Sequence, residues 1–257
     1  MKNGTKKEKG ISGFALKMIA VLSMLIDHTA ATVLEQMLVQ QALPAGAGSY
    51  ERWWSIYFLM RSVGRIAFPI YCYLIVEGFT HTRDRRKYAA RLFLFALVSE
   101  VPFDLALRGR LFFPKYSNVF FTLLLGLLTI MIIDRVTEKF PPSETAARMK
   151  WTGIVVAILL LDFVAAEIIL RSDYGVTGVL AIVIIYLLRN RRLLGYALAV
   201  LALAVLVDGG ALWALFGLLP LSVYNGTRGR QAKYFFYAFY PAHLLILALI
   251  CYGVGLR

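Results

Sequence analysis

Lys17 and His28 stand eleven positions apart in an otherwise apolar run. On an α-helix that spacing is about three turns, so the two side chains share a face about 16 Å apart along the axis. A neutral histidine at mid-membrane is suited to accept a proton near pH 7. A cation on the same face, near the cytoplasmic surface, is suited to a phosphate. One ligand that needs both at this separation is acetyl-coenzyme A, with its phosphates at the cytoplasmic mouth and its pantetheine arm carrying the thioester inward. The chemistry is then acyl transfer, with His28 deprotonating an incoming amine or hydroxyl. Such a reaction also needs a hydrogen-bond donor for the developing oxyanion. Arg65, Asn118 and Tyr240 are the candidates.

Other ionisable residues interrupt apolar blocks, where each costs roughly 2.5–3.5 kcal/mol at a helix centre. Asp27 joins His28 as a catalytic candidate, although neighbours on a helix point about 100° apart, and an arginine is its expected partner. Arg61 and Arg65 are spaced i, i+4 and share a face; with Lys17 they are candidates for the coenzyme phosphates. Glu100 and Asp104 are also spaced i, i+4, at matching depth on the next helix. The two pairs are read either as an ion-pair network between packed helices or as a scaffold orienting a site. His243 falls near mid-depth in the last apolar block. Glu77 and His81 sit near a cytoplasmic helix end, where water reaches them. Asp162, Glu167 and Asp208 receive no role.

The elements that must position these residues follow from composition. The 257 residues are 60% hydrophobic, with mean hydropathy +0.69. The apolar residues come in blocks with no polar face, the pattern expected when lipid is the solvent. We read an all-α integral membrane protein, a single domain over 1–257, built as a bundle of about nine transmembrane helices. They are expected at Gly13–Leu34, Trp54–Phe79, Tyr88–Leu107, Val119–Asp134, Thr152–Leu170, Gly175–Leu188, Leu193–Val207, Leu212–Tyr224 and Tyr234–Tyr252. The seventh and eighth are short for full spans, which suggests tilted, broken or re-entrant segments.

Charge sets the orientation. The tail 1–12, with Lys2, Lys6, Lys7 and Lys9, and the alternate loops that follow it hold 19 Lys and Arg, against 6 on the other side. The positive-inside rule places this tail in the cytoplasm. The net charge of +13 is thereby a matter of topology, and no nucleic-acid partner is expected. The run Ile11–Leu34 is too long for a signal h-region and reads as a retained helix. Pro141, Pro142, Ser143 and Glu144 mark a solvated inner linker. Trp53 and Trp54 close the outer loop at a membrane interface. Cys72 and Cys251 read as small buried residues, and no metal is expected.

No soluble-enzyme motif competes: G-x-S-x-G, the P-loop, H-E-x-x-H and the Rossmann fingerprint are all missing from the sequence. Two other classes stand beside the enzyme reading. One is a proton-coupled membrane transporter, since intramembrane carboxylates and histidines also form proton relays. The other is a non-enzymatic component of a conjugation or envelope assembly.

Several stretches carry a family resemblance. They are LKMIAVLSMLIDH at Leu16–His28, RSVGRIAFPI at Arg61–Ile70, VEGFTHTR at Val76–Arg83 and LFALVSEVPFD at Leu94–Asp104. Three more are NVFFTLLLG at Asn118–Gly126, DYG at Asp173–Gly175 and FYPAHL at Phe239–Leu244. In this order they resemble the TraX family, named for the enzyme that acetylates the N-terminus of F-pilin. That family is similar in turn to transmembrane acyltransferases that use acetyl-coenzyme A, in which a basic residue, ten intervening residues and a histidine mark the first helix. The resemblance implies His28 as catalytic residue, Lys17 as coenzyme-binding residue and a multi-pass location in the bacterial plasma membrane. It leaves the acceptor open among a peptide amine, a cell-wall amino sugar and a lipid-linked glycan.

Overall fold

The computed structural model describes residues 10–257 except 45, 47 and 144, so Lys2, Lys6, Lys7, Lys9 and Glu144 lie outside the described residues. Its helical segments follow one another as α1 (Gly13–Val39), α2 (Tyr50–His81), α3 (Arg85–Arg108), α4 (Val119–Lys139), α5 (Thr145–Ile169), α6 (Gly175–Leu187), α7 (Arg192–Leu206), α8 (Gly209–Ser222) and α9 (Lys233–Gly253). Every expected helix is present, most with ends a few residues further out. Five of them, α1, α2, α4, α5 and α9, are long and apolar enough to cross a membrane. The remainder are less regular, as the short seventh and eighth segments led us to expect for α7 and α8. α3 is 24 residues long but carries several charges, whereas α6 has only 13 residues. α8 is broken, beginning as a 3-10 helix at Gly209–Gly217 and ending in a short α-helix.

Local chemistry explains the departures from straight helix. α2 loses regular geometry between Gly64 and Ala67. Pro69 has no N–H, so the carbonyl of Arg65 four residues earlier loses its helical partner, and the rod breaks there. Between Ala30 and Leu34, α1 widens into a π-helix. The Thr29 and Thr32 hydroxyls donate to the carbonyls of Leu25 and His28 there, at 2.8 and 2.6 Å. Such back-bonding competes with the main-chain ladder and bends helices, and π segments of this kind are frequent at functional sites.

The short helix α6 is the centre of the bundle. Val179, Ala181 and Ile182 are fully buried, and α4, α7 and the second half of α2, Ala67–His81, pack around it. A helix apolar all round suits that place. α5 lies at the periphery with Leu160, Leu161 and Ile169 exposed, as lipid-facing side chains are. α1 packs between α2 and α9, and α9 packs in turn along α3. Consecutive helices α2 and α3 are therefore separated by α1 and α9, an order that decides which charges meet.

Candidate active site

His28, at the end of the regular part of α1, faces His243 on α9. Its Nδ1 lies 2.7 Å from Nε2 of His243, and Nδ1 of His243 lies 2.7 Å from the carbonyl oxygen of Phe239. The rings are parallel within 5°, with centroids 5.0 Å apart, the geometry of two imidazoles joined edge to edge. A carbonyl can only accept, so His243 carries its proton on Nδ1 and offers the Nε2 lone pair. With both rings neutral, His28 then donates from Nδ1, and its own Nε2 holds a free lone pair. The Phe239 carbonyl thus sets the tautomer of His28 through His243, as orienting partners do for catalytic and metal-bound histidines. Tyr240 closes the group, its ring edge-on to both histidines at 5.8 and 5.7 Å. Its buried hydroxyl makes no well-formed hydrogen bond.

A cavity of about 410 Å³ leads to Tyr240 from the side of Lys17. Lys17, Arg91, Arg228, Arg230 and Lys233 line it, as do Met24, Phe120, Leu123, Phe236 and Tyr237 deeper in. The Nε of Arg91 is buried without a hydrogen-bond partner. Lys17 stands over the Phe236 ring at 5.5 Å. Glu77 is the one carboxylate on this wall among the described residues. It accepts from the Tyr224 hydroxyl at 2.8 Å and lies 3.7 Å from His81 Nδ1. The wall is held by a short pairing of the chain ahead of α1 with the loop ahead of α9. The Ile11 amide donates to Val223, the Gly13 amide to Thr227 and the Phe14 amide to Arg228. The first amides of α1 are thereby used within the protein, and any anion here meets side-chain cations. His28 is not on the cavity wall; it lies behind Tyr240.

On the other side of His28 is a group of charges. Asp27 accepts from Arg61 at 2.8 Å, so the arginine partner expected for Asp27 is Arg61. Arg65 pairs with Asp208 at 2.5 Å and also meets Tyr174. Asp173, held by the Tyr116 hydroxyl at 3.1 Å, sits in the field of both arginines. Gly64 makes the Asp27 contact possible, because a side chain at that position would overlap the Asp27 carboxylate.

Four expectations are corrected by these contacts. Arg61 and Arg65 do not pair with Glu100 and Asp104, because α1 and α9 stand between α2 and α3. Nor do the two arginines line the cavity, which takes them away from the phosphate-binding role expected beside Lys17. Glu100 and Asp104 instead hold the α3–α4 loop: Asp104 accepts from the Phe113 amide at 2.6 Å, and Glu100 accepts from the side chain of Asn118. Asn118 is not a free oxyanion donor. Its side-chain amide is used by Ala96 and Glu100, and its oxygen caps α4 at the Phe120 amide. Arg65 is committed to Asp208. Of the three donor candidates, only Tyr240 lines the cavity, and its buried hydroxyl lies by the Val119 amide at the start of α4 with no side-chain partner.

A family model described as TraX protein matches residues 12–251. The chain belongs to the TraX family. It is also similar to the probable fimbrial assembly protein FimC, serogroup H1, of Dichelobacter nodosus, at 30% identity over 265 aligned positions covering 92% of this chain and 94% of that one. No solved structure matches the chain.

Some residues of this TraX-family site escaped the sequence reading. Arg228, Arg230 and Lys233 read as ordinary positive-inside charges, because nothing in their spacing brings them over Lys17. Asp173 lies in the DYG stretch, a short polar interruption that was the available signal. Asp208, without a role in the sequence, is both the partner of Arg65 and the cap of α8 through the Gly210 amide at 2.8 Å. Asp162 and Glu167 are structural. Asp162 accepts from Thr129 at 2.8 Å, and Glu167 accepts from the Val176 amide at the start of α6 at 2.7 Å.

Proposed function

We propose that this protein is an integral membrane acetyltransferase that uses acetyl-coenzyme A. The acceptor is an amine or hydroxyl, either on a peptide such as a pilin-like N-terminus or on an envelope glycan. The observation that carries the reading is the chain His28–His243–Phe239, which leaves a lone pair on His28 Nε2, with the Tyr240 ring edge-on to His28 at 5.8 Å.

The residues present fit the coenzyme. Lys17, Arg91, Arg228, Arg230 and Lys233 would hold its phosphates at the mouth, and the apolar interior takes the pantetheine arm. Acetyl-coenzyme A, when bound, supplies an activated acyl carbon. His28 Nε2 takes the proton from the attacking amine or hydroxyl. His243 keeps that nitrogen free before transfer and shares the positive charge afterwards. The Tyr240 hydroxyl donates to the oxygen on which negative charge develops. The acceptor reaches His28 from the side of Asp27 and Arg61, opposite the cavity. The family name and the fimbrial assembly relative favour a pilin-type peptide over a glycan.

A proton-coupled carrier is the second reading, favoured by the charge group of Asp27, Arg61, Arg65 and Asp208. One experiment separates the two. Purified protein in detergent is given acetyl-coenzyme A with an N-terminal pilin-like peptide or an amino sugar, and free thiol is followed. Acceptor-dependent thiol release supports the enzyme. Release with no acceptor tried, together with proton-coupled flux in sealed vesicles that needs Asp27, would replace it with the carrier.

A further inference from the structure

A second concavity, of about 370 Å³, lies away from the His28 site between the start of α3 and the end of α4. Arg83, Asp84, Arg85, Arg86, Met131 and Arg135 line it. The two aspartates next to these arginines in the chain, Asp84 and Asp134, are already engaged, and Glu138 lies one turn beyond Arg135. Asp84 accepts from the Lys87 amide at 2.9 Å and meets the Lys87 ammonium at 3.3 Å. Asp134 accepts from Arg85 at 2.6 Å and from the Tyr186 hydroxyl at 2.6 Å. The Arg85 guanidinium also rests 3.8 Å over the Phe79 ring, which fixes it in place. Arg83, Arg86 and Arg135 are left exposed, with no carboxylate partner among the described residues.

What lies along the helices from these arginines identifies the occupant. Phe93 and Leu97 follow Arg86 by seven and eleven positions, and Leu128 and Ile132 precede Arg135 by seven and three. At 3.6 residues per turn each set shares a face with its arginine. All four side chains are exposed, as lipid-facing residues are. A concavity of arginines at a helix end, continued by apolar stripes toward the membrane interior, matches a molecule with a phosphate head and hydrocarbon tails.

We propose that this concavity binds an anionic membrane phospholipid, its head-group phosphate held by Arg83, Arg86 and Arg135 and its acyl chains lying on the Phe93–Leu97 and Leu128–Ile132 faces. Arginine suits such a phosphate through paired N–H donors. Basic pockets between helix ends are a recurrent form of lipid head-group site. The site is independent of acyl transfer and involves none of the residues around His28.

The test uses full-length protein purified in detergent, followed by native mass spectrometry and thermal shift with added phosphatidylglycerol, phosphatidylcholine or inorganic phosphate. Wild type is expected to retain and be stabilised by phosphatidylglycerol in preference to phosphatidylcholine. Arg135→Gln should lower that preference roughly fivefold, and the triple change Arg83→Gln, Arg86→Gln, Arg135→Gln roughly a hundredfold. Wild type that does not distinguish the two lipids overturns the proposal whatever the variants do. An unchanged preference in a folded triple variant also overturns it. Protection by inorganic phosphate equal to that by phosphatidylglycerol would reassign the site to a soluble anion.

Discussion

Nε2 of His243 lies 2.7 Å from Nδ1 of His28, and this contact decides which nitrogen of His28 is free. The other edge of His243 is tied to the Phe239 carbonyl, four residues earlier on the same helix. His243 is therefore a positioning residue. His243→Ala should lower acetyl transfer without abolishing it, and His243→Gln, whose side chain can still accept from His28, should recover part of the loss. Rates measured alongside coenzyme affinity check this. An equal loss for Ala and Gln, or a change confined to affinity, contradicts the positioning role.

Tyr240→Phe separates chemistry from folding. The hydroxyl makes no well-formed hydrogen bond, so its removal should change thermal stability little. Loss of an oxyanion donor costs about 10²–10³-fold in rate. A folded variant with near wild-type turnover would remove Tyr240 from the reaction.

The cations at the cavity mouth should act on binding. Lys17→Ala and Arg228→Ala are expected to weaken acetyl-coenzyme A binding, with rates at saturation largely kept, and added salt should narrow the gap to wild type. Calorimetry at two ionic strengths measures both effects. Unchanged affinity in both variants would take the phosphates elsewhere.

Asp27 and Arg61 should depend on each other. Breaking a buried ion pair from one side costs up to about 3–5 kcal/mol; this pair, 18% and 27% exposed, falls below that ceiling, and replacing both members by apolar residues costs far less. Arg61→Met alone should therefore lower stability more than Arg61→Met combined with Asp27→Leu. Gly64→Ala should also destabilise, since the new methyl group would overlap the Asp27 side chain. Thermal unfolding in detergent reads all three, and additive losses in the double variant would argue against a coupled pair.

Asn118→Ala tests a structural role. It removes the cap of α4 and the link from Glu100 to the following helix, a loss of about 1–2 kcal/mol for the cap alone. Stability should fall while the rate per folded molecule holds. The reverse pattern would return Asn118 to the oxyanion site.

The contrast between Asn118 and Lys17 shows what the chain made legible. Depth along a helix follows from counting residues, and the contact between His28 and His243 agrees with the equal depths counted for them. Helix positions followed from apolar blocks for the same reason. Which side a residue faces, and which helix stands opposite, depends on the packing order. Arg65 and Glu100 match in depth by residue count, yet α1 and α9 come between their helices. Asn118 directly precedes the expected helix start at Val119, so a cap was legible there, whereas its bond to Glu100 depends on how α3 packs on α4. The π segment after His28 arises from the threonine hydroxyls acting with the turn they bond to, a balance that no spacing rule expresses.

The central claim is that His28 carries out proton transfer in acetylation. Its direct test is mass spectrometry of an acceptor peptide bearing a pilin-like N-terminus, incubated with acetyl-coenzyme A and either wild-type protein or His28→Ala at matched folding and coenzyme binding. The account predicts an acetylated amine with wild type and a loss of about 10²–10⁴-fold with the variant. Comparable acetylation by the two proteins would contradict it.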